Sequence, residues 1–452
     1  MSRGKRFVGF GFGPIQSALF LYEACRSGHF AGYAVADVDD ELVEAVRAGG
    51  GRCTVNIARP DRIDRFTVEG VQLHDSRTPE GRRAIVAAVA ESDELCTALP
   101  SVGIYTAGGE ASVVSLLAAG LAARRQAGGE PLPTIVYTAE NHNHAAEILG
   151  GHLRTHFAQP GAAAVAGAGG ADALEGVQFL NTVIGKMSGV ITDPPTIARL
   201  GLATLTPGLP RAVLVEEFNR ILISRVRLPG YRRGIDVFQE KEDLLPFEEA
   251  KLYGHNAIHA LIAYLAELRR HLTVAEAGQD AWIMGVARRA FIEESGAALV
   301  RRHAGLGDPL FTPAGYAEYA DDLLERMVNP NLNDLVERVG RDHARKLGIE
   351  DRLYGTMALA LEAGIEPKNL ALGAAAGVVS LARRAAPPDA ALPAGIPLPA
   401  NEAALDEASL GGLLRALWGE AGKRSAPATR ADKLIALTAA ALRRLRAEGL
   451  AR

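Results

Sequence analysis

Residues 6–40 read RFVGFGFGPIQSALFLYEACRSGHFAGYAVADVDD, and the fold is decided here. Arg6 to Phe12 is a short apolar run, a glycine-rich turn follows, and Ile15 to Cys25 has helical spacing. Tyr33 to Val38 is a second apolar run that ends in acids. Period two gives way to period 3.6 and returns, which is the pattern of a β-α-β unit. Gly9, Gly11 and Gly13 stand at the exit of the first strand, where a parallel sheet lets backbone amides and a helix N-terminus approach a pyrophosphate. The fingerprint is incomplete, because the third glycine is replaced by Gln16 when counted from Gly11 and by Pro14 when counted from Gly9. The glycines alone fit either a nucleotide turn or a tight strand-to-helix connection. Asp37 tips the balance toward a nucleotide: a carboxylate closing the second strand, about 20 residues on, can take the hydroxyls of an adenosine ribose. Asp39 and Asp40 stand beside it with no adjacent arginine, so a 2′-phosphate would be repelled and NAD is expected over NADP. Pro14, Ile15, Thr97 and Asn141 complete the expected cofactor-binding set.

The alternation continues outward. Glu41 to Arg47, Ala84 to Ala90 and Ser112 to Arg125 have helical spacing, while Leu95 to Leu99 and Thr134 to Thr138 are apolar runs. Strands alternating with helices of this length predict an α/β chain whose N-terminal domain, residues 1–195, is a Rossmann-like, mostly parallel sheet. Two runs between Arg52 and His74 read as an inserted hairpin, and the Ala/Gly stretch Gly161 to Gly170 as a surface loop. From Leu214 onward helical periodicity dominates, in Lys251 to Leu268, Ala281 to Arg302, Ala314 to Arg326, Asp351 to Ala363 and Lys433 to Arg446. Residues 196–452 are therefore expected to form a mainly α-helical substrate domain, with the site in the cleft beside the nucleotide domain. Pro-rich Ala386 to Pro399 interrupts that pattern as a loop.

Composition removes several classes of function. The 452 residues carry 49 basic and 53 acidic side chains, so no basic excess is present to neutralise a nucleic-acid backbone. No run approaches the roughly 18 to 20 apolar residues that span a bilayer, which predicts a cytoplasmic protein without a membrane partner. Cys25, Cys53 and Cys96 lie far apart and outside CxxC spacing, and are expected to be reduced thiols.

The stretch KLYGHNAIHALIAYLAEL, residues 251–268, carries the chemistry. On an α-helix Lys251, Asn256 and His259 fall at about 0°, 140° and 80° around the axis. Such a set suits alcohol oxidation. A lysine with a lowered pKa can remove the hydroxyl proton as hydride leaves, an asparagine can donate to the alkoxide, and a histidine can hold a further hydroxyl. The same spacing also suits a partly solvated helix face. His255 and His259, four apart, offer a rival metal pair with His142 or His144. Against it stand the lack of an HExxH motif, the lack of a cysteine companion, and the charge of Lys251 on the same turn, so no metal is expected. His142 and His144, flanking Asn143, suit either a pocket wall or a solvated loop.

A lysine, four residues, an asparagine, two residues and a histidine, on a helix after a nucleotide-binding half, resembles the polyol-specific long-chain dehydrogenases. Further pieces resemble that family in order: Thr134 to Asn141 with its acid-Asn end, Glu293-Glu294-Ser295-Gly296, Asn329-Pro330, Val336 to Arg341, Arg345-Lys346-Leu347, Asp351-Arg352-Leu353 and Lys368-Asn369-Leu370. Together they cover roughly residues 6 to 380. The resemblance implies NAD-dependent, metal-independent interconversion of a sugar alcohol, expected to be a hexitol phosphate such as mannitol 1-phosphate, and its ketose, fructose 6-phosphate, by a monomer or weak homodimer. It makes Lys251 the general base, Asn256 and Asn141 the oxyanion site, and His259 a substrate-positioning residue. Arg338, Arg341, Arg345 and Lys346 offer charge for a substrate phosphate, or else a helix face paired with Glu337 and Asp342. Arg232 and Arg233 form a second basic cluster, more in keeping with a solvated loop. The chain also departs from the family. Gly185-Lys186 stands where an Asp-Arg pair is usual, His255 where an apolar residue is usual, and Ala257-Ile258 where smaller residues are usual. These departures leave open an unphosphorylated polyol or uronate as substrate, and a catalytically silent NAD-binding sensor.

Overall fold

The computed structural model of the chain describes residues 4–127, 132–159, 174–218, 220–383, 395–425 and 428–451, with the side chains at 420–428 outside that set. The loop expected at 161–170, and 386–394 of the Pro-rich stretch, lie outside the described residues. The chain divides into two compact units, residues 1–245 and 246–452.

Among the described residues the first unit holds all twelve strands: β1 (Lys5–Phe10), β2 (Phe30–Asp37), β3 (Cys53–Ala58), β4 (Ile63–Val68), β5 (Val71–Asp75), β6 (Glu94–Thr97), β7 (Thr134–Thr138), β8 (Val177–Val183), β9 (Ser188–Ile191), β10 (Ala212–Glu216), β11 (Leu222–Ser224) and β12 (Gln239–Lys241). Eight of them form a sheet in the order β12-β11-β8-β7-β6-β1-β2-β5, parallel throughout except where β11 meets β8. Without β11 and β12 the order is the doubly wound 3-2-1-4-5-6, whose strand order reverses between β1 and β6. The alternation of β1 explains the layering. Phe7 joins a core with Leu19 and Phe20 of the following helix on one face. Val8 and Phe10 join a core with Ile85, Leu116 and Leu117 on the other, from the helices Pro79–Ala90 and Val113–Gln126.

A second sheet, β4-β3-β10-β9, packs into the same unit. The expected hairpin between Arg52 and His74 exists as β3 and β4, but its second run splits at Gly70, which adopts φ +73°. Past that turn Val71–Asp75 leaves the hairpin and pairs with β2 in the main sheet. The unit boundary also differs from the one read at 195/196. Ala212–Glu216 pairs with β3 and β9, and Leu222–Ser224 with β8, so residues to 245 belong to the first unit. Strands of three to five residues are too short to display a period, and the helical reading from Leu214 overran them.

The second unit is helical. Its centre is Lys368–Arg383, in which every residue from Leu370 to Ala382 is buried. Two of its helical runs contain wide turns that close after five residues instead of four, at Ala250–Asn256 and Ala290–Gly296.

Glu94, at the start of β6, ties the first unit together. Its fully buried carboxylate accepts the Tyr137 hydroxyl at 3.0 Å and the Gly234 amide, with the Lys5 ammonium 3.5 Å away. Replacing Glu94 with Ala strands these donors in a dry interior, and should lower unfolding free energy by roughly 3 kcal/mol, as read by urea denaturation.

Candidate active site

In the first unit the glycine turn and the ends of β1, β2 and β6 enclose a cleft of about 530 Å³, within the usual size of a small-molecule site. Gly11, Gly13, Pro14, Ile15 and Asp37 line it. Gly11 sits at φ +81°, and a Cβ there would lie 2.7 Å from the Ala98 carbonyl oxygen, so this position requires glycine. At Gly13 no atom stands within 4 Å of a Cβ position, leaving bare backbone on the cleft wall. Asp37 Oδ2 accepts the Phe12 amide at 2.5 Å, and Oδ1 accepts the amides of Val38 and Asp39 at 2.7 and 2.9 Å. The carboxylate thus holds the glycine turn and still keeps acceptor capacity for hydroxyls. Ser76, Val38 and Ile104 also line the cleft, and the two apolar side chains are exposed.

Three expected cofactor residues are absent from this wall. Gly9 faces Gln16 instead: a Cβ on Gly9 would fall 2.4 Å from Gln16 Nε2. The missing third glycine is thereby explained, because close strand-helix packing is met by a small residue on the strand and a large one on the helix. Thr97 is buried and donates to Glu140 Oε2 at 2.9 Å. Glu140, which also accepts the Leu99 amide at 3.0 Å and the Tyr105 hydroxyl, pins the loop after β6 to the end of β7. Burial pushes its carboxyl up. Asn141 follows it at the surface, as do His142 and His144.

The charge next to Asp37 also differs from its sequence reading. Arg211 Nη1 lies 2.8 Å from Asp39, and Arg77 Nη2 lies 3.6 Å from Asp40 and 3.0 Å from Asp75. Both arginines are remote in sequence from Asp37, so the acids beside it are neutralised by partners that adjacency did not reveal. Lys186, at the Gly185-Lys186 departure, is a buried strap whose ammonium donates to the carbonyls of Glu216 and Phe218 at 2.6 and 2.7 Å. Arg233 staples its own loop, bonding Glu240, Ile235 and Phe238.

In the second unit, Lys251 and Asn256 both lie in the wide turn Ala250–Asn256, and His259 follows in the helix Ala257–Leu268. A turn that closes after five residues brings residue 256 round toward the side of residue 251, and residue 259 is the i+3 neighbour of 256. The three groups therefore gather more closely than regular α spacing allows. Burial pulls the Lys251 amine down to about 8, with Glu248 opposing and Arg352 reinforcing the shift. Arg352, which the sequence reading left among its motifs without a role, acts also on Lys346: burial first, then Arg352 and Arg345, lower that amine to about 7. His255 is buried, and burial followed by the charges of His259, Arg326 and Lys251 keeps its pKa well below the ordinary value. Its ring centroid is 6.2 Å from that of His259, but among the described residues no three His, Cys, Asp or Glu side chains are placed to hold a metal ion.

The basic cluster is largely engaged by the protein itself. Arg338 donates to Asp334 Oδ1 at 2.9 and 2.6 Å, Arg345 to Asp342 at 2.6 Å, and Lys346 to the Val339 carbonyl. Arg341 is exposed. Asp334 is the residue that sequence reasoning missed. It is 5% exposed, and its Oδ2 stands 3.2 Å from His259 Nε2. Only its position four residues before Arg338 hinted at it.

Residues 243–382 match the family described as mannitol dehydrogenase C-terminal domain. Over 99% of its length the chain resembles a D-sorbitol dehydrogenase crystallised in substrate-free form, with a TM-score of 0.74, 15% identity and 94% of that chain covered. It likewise resembles the Pseudomonas fluorescens mannitol 2-dehydrogenase in its ternary complex with NAD and D-mannitol, with a TM-score of 0.67, 18% identity, and 99% and 92% of the two chains covered. At these identities the likeness establishes the fold. The class is thus a Rossmann-type unit followed by a helical unit. Within that class the helical unit is matched specifically to the mannitol dehydrogenase C-terminal domain.

Burial pushes the Asp334 carboxyl up, but His259 and Arg338 outweigh it and hold its pKa below the ordinary value. A depressed carboxylate adds stability above its unfolded pKa and loses it as pH falls through the folded value. Replacing Asp334 with Asn should lower unfolding free energy at pH 7 by roughly 3 kcal/mol. It should also flatten the fall in stability between about pH 5 and pH 3, as measured by denaturant titrations across that range.

Proposed function

We propose that this protein is an NAD-dependent polyol dehydrogenase that interconverts a hexitol phosphate, such as mannitol 1-phosphate, and its ketose, fructose 6-phosphate. The observation that carries the proposal is Lys251, an amine lowered to about 8 by burial and set in a wide turn with Asn256 and near His259. That is a general base poised close to working pH. Lys251 takes the proton of the reacting hydroxyl, Asn256 and Asn141 donate to the oxygen as it becomes an alkoxide, and His259, backed by Asp334, orients a neighbouring hydroxyl. NAD, when bound, supplies the hydride acceptor.

The cleft of the first unit suits that cofactor. Gly13 offers bare backbone to a pyrophosphate, Asp37 has lone pairs left for ribose hydroxyls, and Val38 and Ile104 offer exposed apolar surface to an adenine. Arg77 and Arg211 are tied to acids, which supports a diphosphate cofactor without a 2′-phosphate. Burial lowers both Lys251 and Lys346 and the charge of Arg352 lowers each further, which supports an anionic substrate, because a bound phosphate would offset the positive charge of Arg352 beside both amines. A second reading, an unphosphorylated polyol or a uronate, is favoured by one observation. Arg338, Arg345 and Lys346 already have protein acceptors, which leaves fewer donors than a dianion asks for.

The test is NADH consumption by the purified protein with fructose 6-phosphate, beside fructose, uronates and a no-substrate control. Turnover with the phosphate alone supports the hexitol phosphate; turnover with only a neutral sugar or a uronate moves the substrate and keeps the base. Replacing Lys251 with Ala should reduce kcat by about 10²- to 10⁴-fold and leave NADH affinity nearly unchanged. Since oxidation needs the neutral amine, its rate should rise with pH through about 8, while ketose reduction, which needs the ammonium, should fall above about 8. Full activity in the Lys251→Ala variant would sink the assignment.

A further inference from the structure

The segment Glu293-Glu294-Ser295-Gly296 takes no part in the chemistry above, yet it is built around the turn that carries Lys251. Tyr253 lies in the middle of that turn, and its carbonyl oxygen receives two side-chain hydroxyls: Ser295 Oγ donates at 2.8 Å and Thr356 Oγ1 at 3.2 Å. In a regular α-helix a carbonyl is taken by the amide four residues on. A turn that closes after five shifts this ladder by one residue, and where the register changes a carbonyl is open to side-chain donors as well. The two hydroxyls are unequal donors. Thr356 has one proton, and its shorter bond goes to the Arg352 carbonyl of its own helix, so its share at Tyr253 is partial. Ser295 is fully buried, and Tyr316 Oη, 3.4 Å from its Oγ, can donate to it and leave the serine proton for Tyr253.

Sterics confine the same turn. A Cβ on Gly254 would lie 2.7 Å from the Tyr316 hydroxyl, and one on Gly296 would lie 2.5 Å from the Tyr316 ring. Glu294, next to Ser295, is fixed in turn. Its carboxylate accepts the amides of Asn369 and Leu370 at 2.7 and 2.8 Å, at the start of the buried helix Lys368–Arg383. Ser295 therefore reaches Tyr253 from an anchored position.

We propose that Ser295 is a positioning residue: by holding the Tyr253 carbonyl it keeps the turn 250–256 wide, and so keeps Asn256 on the side of Lys251. Its catalytic consequence rests on Lys251 being the base; its structural part does not. The variants are Ser295→Ala and Thr356→Val, with Lys251→Ala as control. Each is followed by kcat, KM, and the pH dependence of Lys251 labelling by an amine reagent in the cofactor-free protein, read by peptide mass spectrometry.

In Ser295→Ala, kcat should fall by about tenfold to a hundredfold, the cost of a misplaced group, with KM for NADH little changed. The labelling midpoint of Lys251 should rise by about one unit as the loosened turn lets water reach the amine. Thr356→Val should shift both in the same direction but less. A folded Ser295→Ala protein with the wild-type labelling midpoint and wild-type kcat overturns the proposal, as does a loss of kcat that merely follows the folded fraction. If Ser295→Ala does not fold, Ser295→Cys, close in size and a weak donor, is read in the same way. Undiminished turnover in Lys251→Ala would overturn the base assignment instead, and the labelling midpoint, which needs no turnover, would still decide the role of Ser295.

Discussion

Gly373 and Gly377 present no side chain to the helix Ala257–Leu268. A Cβ at the first would lie 2.7 Å from Leu261 Cγ, and at the second 2.9 Å from Tyr264 Cδ2. The order of the second unit depends on this close approach. It lets residues 370–382 run buried beside the helix that continues from the Lys251 turn, and gives that helix a rigid back on which one face can carry polar groups. Polar contacts then fix rotation and register. Ser380 Oγ, on the buried helix, donates to Glu267 at 2.7 Å and lies 3.0 Å from His343 Nε2, whose ring stacks on Tyr264. The short helix His343–Lys346 is thereby tied to the same pair of helices.

Placing cations on such a rigid back has a price in solvation, and the structure shows how it is met. Burial lowers the proton affinity of both Lys251 and Lys346, and the charge of Arg352 adds to the shift of each. Arg352 itself takes Asp351 as its partner, with Nε 2.7 Å from Oδ1. One permanent charge thus tunes two titratable amines. Buried beside a fixed charge, an amine is held closer to neutrality than a lysine in a solvated row.

Legibility in the sequence followed the physical range of each interaction. The main sheet was legible because β1, β2, β6 and β7 alternate with helices at fixed short periods, and Thr134–Thr138 lies where its apolar run is. The glycine turn was legible because φ and backbone approach are local demands. Lys368–Arg383 was not read as a helix, since a helix buried on every side has no polar stripe and hence no period. Gln16 looked like a defect in a fingerprint until Gly9, seven residues earlier, proved to be the small partner it packs on. Arg77, Arg211 and Asp334 escaped because ion pairs join residues that only the finished fold brings together.

The wide turns are the harder case, because a change of one residue in hydrogen-bond closure alters which side chains share a face while leaving composition untouched. On regular spacing Lys251 and Asn256 stand about 140° apart, a poor arrangement for the two groups proposed to meet at one hydroxyl. The five-residue spacing makes sense only for a turn that closes over five residues, and that turn persists because donors and clearances are supplied from elsewhere: the Ser295 hydroxyl, the bare Cα of Gly254 and that of Gly296. A spacing that looks mediocre on an ideal helix, accompanied downstream by a buried hydroxyl-glycine pair, is therefore itself a signal that the helix is not ideal there.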